Sequence, residues 1–366
     1  MAFNNQLVEA QFRAAEIWAA TKNDPSKMPR IGALAAVLAE STARIDNTYS
    51  DPEKKRTNRI FWMNRRCTDT PEVGRPGCDL DYNELDAGSK TYSLTRVIHD
   101  GFKVPFRDFE TSVFQRTEVE AEGIVDTEKK LFESFNSRVH AFINDPANLT
   151  VYPIGGYNVD SADNTVIITP EMWTPRVLGV ATRYAKQIGM ADPFIISGAA
   201  LYDILFDVKK DEGMEMNIGK AARVRDHRIY VDFTMDGTLA EEKFFLIDKG
   251  VLAFLNRADW KNTAPMTIDG ASRMAWSKTS TVMNTPIGVG IDGKPVSFTI
   301  DRHTQRTCVS GVDFVDQHGF ALNADIVKMP DADCTDDATI NGGTYEGKYT
   351  GIVAFKCANA ATGSGS

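Results

Sequence analysis

The sequence predicts an α+β chain in which one very long helix joins a charged, two-stranded segment to a mixed lobe, followed by a β-rich last third. Three observations predict it. Apolar residues recur at spacings of three, four and seven from about Phe109 to Ile143, the period of a helix with a single apolar face. Residues 51–108 separate their charges into a basic half and an acidic half around strand-like ends. After Pro146, helix signals alternate with short apolar runs, and from about residue 261 strand patterns take over.

Composition bounds the answer. The 366 residues are 42% hydrophobic, 25% charged and 10% aromatic, values of a globular chain with about two domains or one subunit with two lobes. The formal charge of −9 excludes a dedicated nucleic-acid binder, which needs a basic surface. The longest apolar run, Ile31 to Ala39, is broken by Gly32 and followed by Glu40, far from the roughly 18 residues a membrane helix requires. The opening MAFNNQLVEAQ has neither a basic stretch nor an apolar one, so no secretory signal and a cytoplasmic compartment are expected. The five cysteines, Cys67, Cys78, Cys308, Cys334 and Cys357, contain no CxxC pair, which argues against a zinc ribbon or thioredoxin-type site. Cys67 with Cys78, or Cys334 with Cys357, could bridge in an oxidising medium, but thiols are expected in a cytosol.

Taken in order, residues 1–50 read as an arm. It holds an amphipathic stretch from Leu7 to Ala20 and a short helix from Ile31 to Ile45, with no complete core. Residues 51–108 carry Lys54, Lys55, Arg56, Arg59, Arg65 and Arg66, then Asp69, Glu72, Asp79, Asp81, Glu84 and Asp86, with Phe61, Trp62, Tyr82 and Tyr92 among them. The strand-like ends IFWM and TYSLTRVIHDGFKVPF favour a long two-stranded loop. An isolated hairpin is marginal in water, so the segment is either laid on a neighbour or an ordinary surface insertion. The helix of residues 109–143 is expected to run about 50 Å, capped by Asp108 or Thr111 and stopped by Pro146. Glu118, Glu120, Glu122, Asp126 and Glu128 are placed on its polar face, and Gly123 marks a bend. Thr174 and Pro175 open a helix that ends at Gly189. PFIISG reads as a buried strand, Ser197 as the cap of GAALYDILFDVKK, HRIYVDF as a strand, and KFFLIDKGVLAFLNR as strand, turn, strand. Beyond residue 260, PIGVGIDGKPVSFTID reads as a hairpin turning at Asp292-Gly293, GFALNADIVKM as a strand, and GTYEGKYTGIVAFKC as a further hairpin ahead of a flexible AATGSGS tail.

The motifs that could carry chemistry are weak. Gly288, Gly290 and Gly293 match GxGxxG, but a strand with Pro295 follows where a dinucleotide site needs a helix. Asp331, Asp333, Thr335 and Asp337 resemble half a calcium loop, with Asp336 where glycine is required and Gly342 where a bidentate glutamate is required. His99, His140, His227, His303 and His318 show no helical ligand spacing and adjoin no nucleophile motif. His140, near a helix end, suits the helix dipole. Asn148-Leu-Thr150 is a sequon only in a secreted protein. The sequence therefore assigns no catalytic, cofactor-binding or metal-binding residue and no cofactor.

The succession of segments is more informative than any motif. YSLTRVIHDGFKVPFRDFE leads into the long helix, followed by TPRVLGVATRYAKQIG, PFIISGAALYDILF and KFFLIDKGVLAFLNR. This order resembles the major capsid protein of tailed bacteriophages, the HK-ninety-seven-like fold shared with encapsulin shells, over most of residues 1–330. The resemblance implies an N-terminal arm over 1–50, an extended loop over 51–108 and a spine helix over 109–150. It also implies an axial domain over 151–260 and a β-rich return over 261–330, leaving a C-terminal hairpin and tail over 331–366. It further implies a structural protein, not an enzyme, that assembles with itself into pentamers and hexamers of an icosahedral shell. Neighbouring subunits would be held through the 51–108 loop and the arm. Scaffold, portal and decoration proteins are the further partners it suggests, with packaged double-stranded DNA enclosed without sequence-specific contact and no membrane involved. Such a subunit belongs to the virion and is assembled in the bacterial cytoplasm. Gly123 would be a pivot of the long helix during shell expansion, and no Lys–Asn crosslinking pair can be assigned. A tail or decoration protein, an encapsulin-type compartment, and an enzyme with a site assembled from distant residues are the alternatives.

Overall fold

The computed structural model describes residues 2–21, 29–41, 44–46, 57–63, 87–94, 97–106, 115–149, 157–188, 190, 192–199, 201–202, 204, 222–224, 227–235, 243–257, 263–267, 275–284, 297–309, 313–329, 338–340, 343–345 and 351–357. The chain opens with helices α1 (Ala2–Thr21) and α2 (Gly32–Glu40). The short strand β1 (Arg44–Asp46) follows, then β2 (Thr57–Met63) and β3 (Ala87–Ser93). These three strands form an antiparallel sheet in the order β1-β2-β3. Strand β4 (Val97–Pro105) pairs with β15 of the body and not with that sheet, so the strand-like segment expected over 91–106 is two strands serving two sheets. The division falls at the buried Leu94.

Helix α3 (Arg116–Asn144) has 29 residues and is about 43 Å long. Its first turn is held by a capping box, with the Gln115 N–H donating to Glu118 Oε2 at 3.3 Å; Asp108 and Thr111 lie outside the described residues. The expected apolar face is buried through Ala121, Ile124, Val125, Leu131, Phe132, Phe135, Val139 and Ile143. Two details differ from the sequence reading. Glu120 and Glu128, placed on the polar face, are buried: Glu120 pairs with Arg116 of the same helix, and Glu128 with Arg302 of the underlying sheet. Gly123 interrupts nothing: a Cβ there would lie 2.7 Å from the Phe102 ring, so the glycine permits a close approach of β4.

That underlying sheet is built from β11 (Leu252–Asn256), β12 (Thr263–Thr267), β13 (Ala275–Asn284), β14 (Ser297–Val309) and β15 (Asp313–Lys328), with β4 on β15. β13 and β14 pair from Asn284↔Ser297 outward, so the expected Asp292-Gly293 turn falls in a connection outside the described residues. Phe132 meets Phe298 edge-on at 4.8 Å between ring centres, and Phe135 meets Phe254 at 5.4 Å.

The second large sheet has seven strands, ordered β5-β6-β18-β10-β7-β9-β8. They are β5 (Asn158–Asp160), β6 (Thr165–Ile168), β7 (Pro193–Ser197), β8 (Ala222–Val224), β9 (His227–Val231), β10 (Lys243–Asp248) and β18 (Ile352–Cys357). Helix α4 (Arg176–Gln187) covers one face through Val177, Leu178, Ala181 and Tyr184, against Ile195, Phe244, Val353 and Phe355. The opposite face, with Phe194, Ile196, Phe245, Ile247, Ile352 and Ala354, packs with α1, α2 and α3. Both faces are covered, which explains the near-continuous apolar runs FIIS, KFFLI and IVAF.

Two further expectations are revised here. The hairpin expected over 343–357 does not form: β17 (Gly343–Tyr345) pairs with β16 (Ala338–Ile340), while β18 lies antiparallel to β10 and parallel to β6. KFFLIDKGVLAFLNR does give strand, turn, strand, but β10 and β11 enter different sheets, and the turn uses Gly250 at φ 81. The Ser197 hydroxyl donates to Gly198 O at 3.2 Å, and much of the segment it was expected to cap lies outside the described residues. Gly189 and most of the segment after Leu201 lie outside the described residues. The arm of 1–50 contributes more to the core than expected: Ile31 and every residue from Ala33 to Leu38 are buried.

Candidate assembly surface

The hairpin β2–β3 has two unlike faces. Antiparallel pairing sets Ile60 opposite Lys90, Asn58 opposite Tyr92 and Phe61 opposite Ser89, and side chains alternate along each strand. Ile60 is fully buried and joins Leu94, Ala253 and Leu255 of the body, with Tyr92, Val327 and Met329 around them. The Tyr92 hydroxyl donates to Lys328 O at 3.4 Å, and Asn58 Nδ2 to Asn256 O at 3.5 Å. Burial pushes the Tyr92 hydroxyl pKa up. The other face carries Arg59 and Phe61. The Arg59 guanidinium lies over the Phe61 ring at 5.0 Å and donates to Ser89 Oγ at 3.1 and 2.6 Å. Phe61 is 37% exposed, on the same face as exposed Ser89 and Thr91. The hairpin is thus anchored at its base and presents a cation–aromatic face outward.

Buried polar groups fix the elements that surround it. Asp232, after β9, accepts at Oδ2 from Ala33 N (2.7 Å) and Asn136 Nδ2 (2.7 Å), and the same oxygen lies 3.0 Å from His140 Nε2. Its Oδ1 accepts from Thr234 N at 3.0 Å and Thr234 Oγ1 at 2.7 Å. Burial alone would raise this carboxyl, but the hydrogen bond and charge of His140, then Thr234 and the Ala33 N–H, hold it well below the usual carboxylate range. Asn136 Oδ1 accepts from Leu34 N at 2.8 Å. One cluster therefore satisfies orphan amides at the start of α2 and ties α2, α3 and the β9 end together. Its closeness requires Gly32, where a Cβ would stand 2.5 Å from Val231 O.

A second cluster joins α1 to the body: Trp18 Nε1 donates to Glu128 Oε2 at 2.9 Å, and Arg302 Nη2 to Glu128 Oε1 at 2.5 Å. Burial pushes the Glu128 carboxyl up, against the pull of Arg302 and the indole. A third holds the start of α3. Arg116 pairs with Glu120 at 2.9 Å and with Asp316, which also takes two bonds from Arg306 at 2.7 and 2.9 Å. Both guanidiniums lie over the Phe106 ring, at 3.4 and 4.5 Å. Beside them the buried His318 stacks on Phe102 at 4.7 Å. Burial, then Arg116 and Arg306, press the imidazole down to about 4.

The other histidines resolve simply. His99 is exposed, His227 Nε2 lies 2.6 Å from Thr182 Oγ1, and His140 is buried against Asp232 where a dipole role at the helix end was expected. The glycines of the GxGxxG match, the acidic loop from Asp331, and Cys67, Cys78 and Cys334 lie outside the described residues. Cys357 is half-buried at the end of β18. Among the described residues no group of three or more His, Cys, Asp or Glu is placed to hold a metal, and no helix is long and apolar enough to cross a membrane. The network residues Asp232 and Asn136 were not singled out from the sequence. The available signal was Asn136 and His140 one turn apart within the apolar stripe of α3, where polar side chains need partners.

No family model matches the chain, and no curated protein matches it. Among solved structures it is similar to a chain described as Mycobacterium phage Adephagia, at TM-score 0.42 and 9% identity, over 83% of this chain and 86% of that one. It is also similar to a chain of the capsid structure of Staphylococcus phage Andhra, at TM-score 0.41 and 10% identity, over 86% and 85%. A third is a chain of the asymmetric unit of the bacteriophage PhiM1 mature capsid, at TM-score 0.39 and 10% identity, over 84% and 83%.

Proposed function

We propose that this chain is a structural subunit that assembles with copies of itself into the icosahedral capsid shell of a tailed bacteriophage, enclosing double-stranded DNA. The observation that carries the reading is the hairpin β2–β3: its base is fastened to the body through Ile60, while Arg59 and the exposed Phe61 face outward. The hairpin leaves the aromatic ring of Phe61 exposed on that outer face, a surface that a neighbouring copy would cover. The order of elements supports the same reading, with helical arm, hairpin, long helix, seven-stranded lobe and β-rich return following the pattern of such subunits. In the assembled particle the loop of residues 51–108 and the arm of residues 1–50 reach neighbouring subunits in pentamers and hexamers. Heterologous contacts of this kind close into rings. The role is structural and not catalytic, the protein belongs to the virion, and assembly takes place in the host bacterial cytoplasm.

The test is direct. The full chain, expressed alone and with candidate scaffold proteins, is examined by sedimentation velocity and negative-stain microscopy. Closed shells or rings of five and six support the proposal; a strictly monomeric product over the whole accessible concentration range overturns it.

A further inference from the structure

We infer that the cationic outer stripe of α4 and the acidic outer stripe of α3 are the two halves of one contact between copies of this chain. The inference rests on the shell reading for the existence of neighbouring copies, and on the two helices for where they touch. Helix α4 buries Val177, Leu178, Val180, Ala181, Tyr184 and Ala185. The exposed remainder is Arg176, Gly179, Arg183 and Lys186, one stripe of three cations about 15 Å long, on a chain whose formal charge is −9. Arg183 is held in place, over the Tyr157 ring at 5.3 Å with Nε donating to Tyr157 Oη at 3.0 Å. Among the described residues none of the three cations pairs with a carboxylate.

Helix α3 carries the opposite charge. Glu118, half-exposed, and Glu122 and Asp126, both exposed, stand at i, i+4 and i+8, a column about 12 Å long that ends at exposed Lys130. Like charges at this spacing destabilise a helix by a few tenths of a kcal/mol each. Among the described residues Glu122 and Asp126 have no Lys or Arg partner. The two stripes cannot meet within one molecule: α4 packs on one face of the seven-stranded sheet and α3 on the side of the other. Complementary stripes on different surfaces of the same chain can meet only head to tail, the arrangement that generates rings. Charge pairing of this kind fixes register and partner choice.

The experiment uses the full chain with R176E/K186E, which leaves the Arg183–Tyr157 contact in place, with E122K/D126K, and with all four substitutions together. Melting temperature reports folding, and the concentration at which particles form reports assembly. Each one-sided reversal is expected to raise that concentration about tenfold or more, and the four-fold variant to return it most of the way to wild type. Assembly of the wild type should also weaken as salt rises. One-sided variants that assemble like wild type, a combination that restores nothing, or a loss confined to nucleic acid retained in the particles would each overturn the contact while leaving the shell reading intact. A wild-type chain that never assembles overturns both. Should a one-sided variant melt early, the salt dependence of wild-type assembly decides: a concentration threshold unmoved by salt overturns the contact.

Discussion

The ring of Phe102 occupies the place where a side chain on Gly123 would begin: a Cβ on that glycine would stand 2.7 Å from the nearest ring carbon. The ring cannot easily yield, because His318 stacks on it at 4.7 Å and Phe320 at 6.3 Å. Gly123→Ala gains about 1 kcal/mol of helix propensity but overpacks this seam, at a cost of about 1–3 kcal/mol. A net loss in melting temperature is expected, and Phe102→Leu should recover part of it in the double variant. Thermal unfolding of the four proteins of that cycle measures the coupling, and strictly additive effects would contradict the contact.

Glu128 joins α1 to the body through Trp18 and Arg302. Glu128→Ala removes the buried carboxylate to which both Arg302 and Trp18 donate, and removing one partner of a buried pair costs about 3–5 kcal/mol. Denaturant unfolding should show that loss, and trypsin should cut faster at Arg13 of the loosened α1. Glu128→Gln, which keeps an acceptor oxygen for one of the two donors and fills the same space, should lose less than Glu128→Ala.

His318 gives the protein an acid sensitivity with a defined sign. The folded imidazole titrates at about 4, whereas an unfolded one takes its proton near 6.5. Between these values the unfolded chain binds the proton and the native one does not. Native stability therefore falls as pH drops from about 6.5 to about 4, by up to about 3 kcal/mol, and changes no further from this group below that. His318→Phe keeps the stack on Phe102 and should flatten this part of the profile. Denaturant midpoints of both proteins at pH 7, 5.5 and 4 check it.

Ile60 and Phe61 are neighbours with opposite consequences. Ile60→Ala removes a fully buried side chain at the hairpin base and should cost about 2–5 kcal/mol, read by chemical unfolding. Phe61→Glu lies on the outer face and should leave unfolding within about 0.5 kcal/mol, yet abolish particles in negative stain. Particles of normal yield from the Phe61 variant would place the neighbour's contact elsewhere.

Much of this architecture was legible in the sequence, and the failures share a cause. The apolar period of α3 survived because it is local: Ile124, Leu131, Phe135 and Val139 mark their own buried face. The strands FIIS, HRIYV and KFFLI were equally visible as short apolar or alternating runs. Glu128 was placed on the wrong side because the cation that pairs with it, Arg302, lies 174 residues away in the chain, whereas Glu120 pairs with Arg116 one turn before it in the same helix. The amides at the start of α2 are held by Asp232 and Asn136, 199 and 102 residues away. For the candidate surface, the basic stem and aromatic residues of the hairpin could be read directly. Which face Ile60 would spend on the body could not, since that choice is made by Ala253 and Leu255.

The position of β18 has a consequence for how the molecule can be made. Strands β10 and β6 are separated in the finished sheet by a strand synthesised more than 100 residues after β10. As the polypeptide leaves the ribosome, the middle of the lobe stays vacant while β11 to β15 of the other sheet are translated. The two lobes are therefore one folding event, and a fragment stopping short of Ile352 would leave Phe244 and Phe245 on an open edge, prone to recruit the wrong strand.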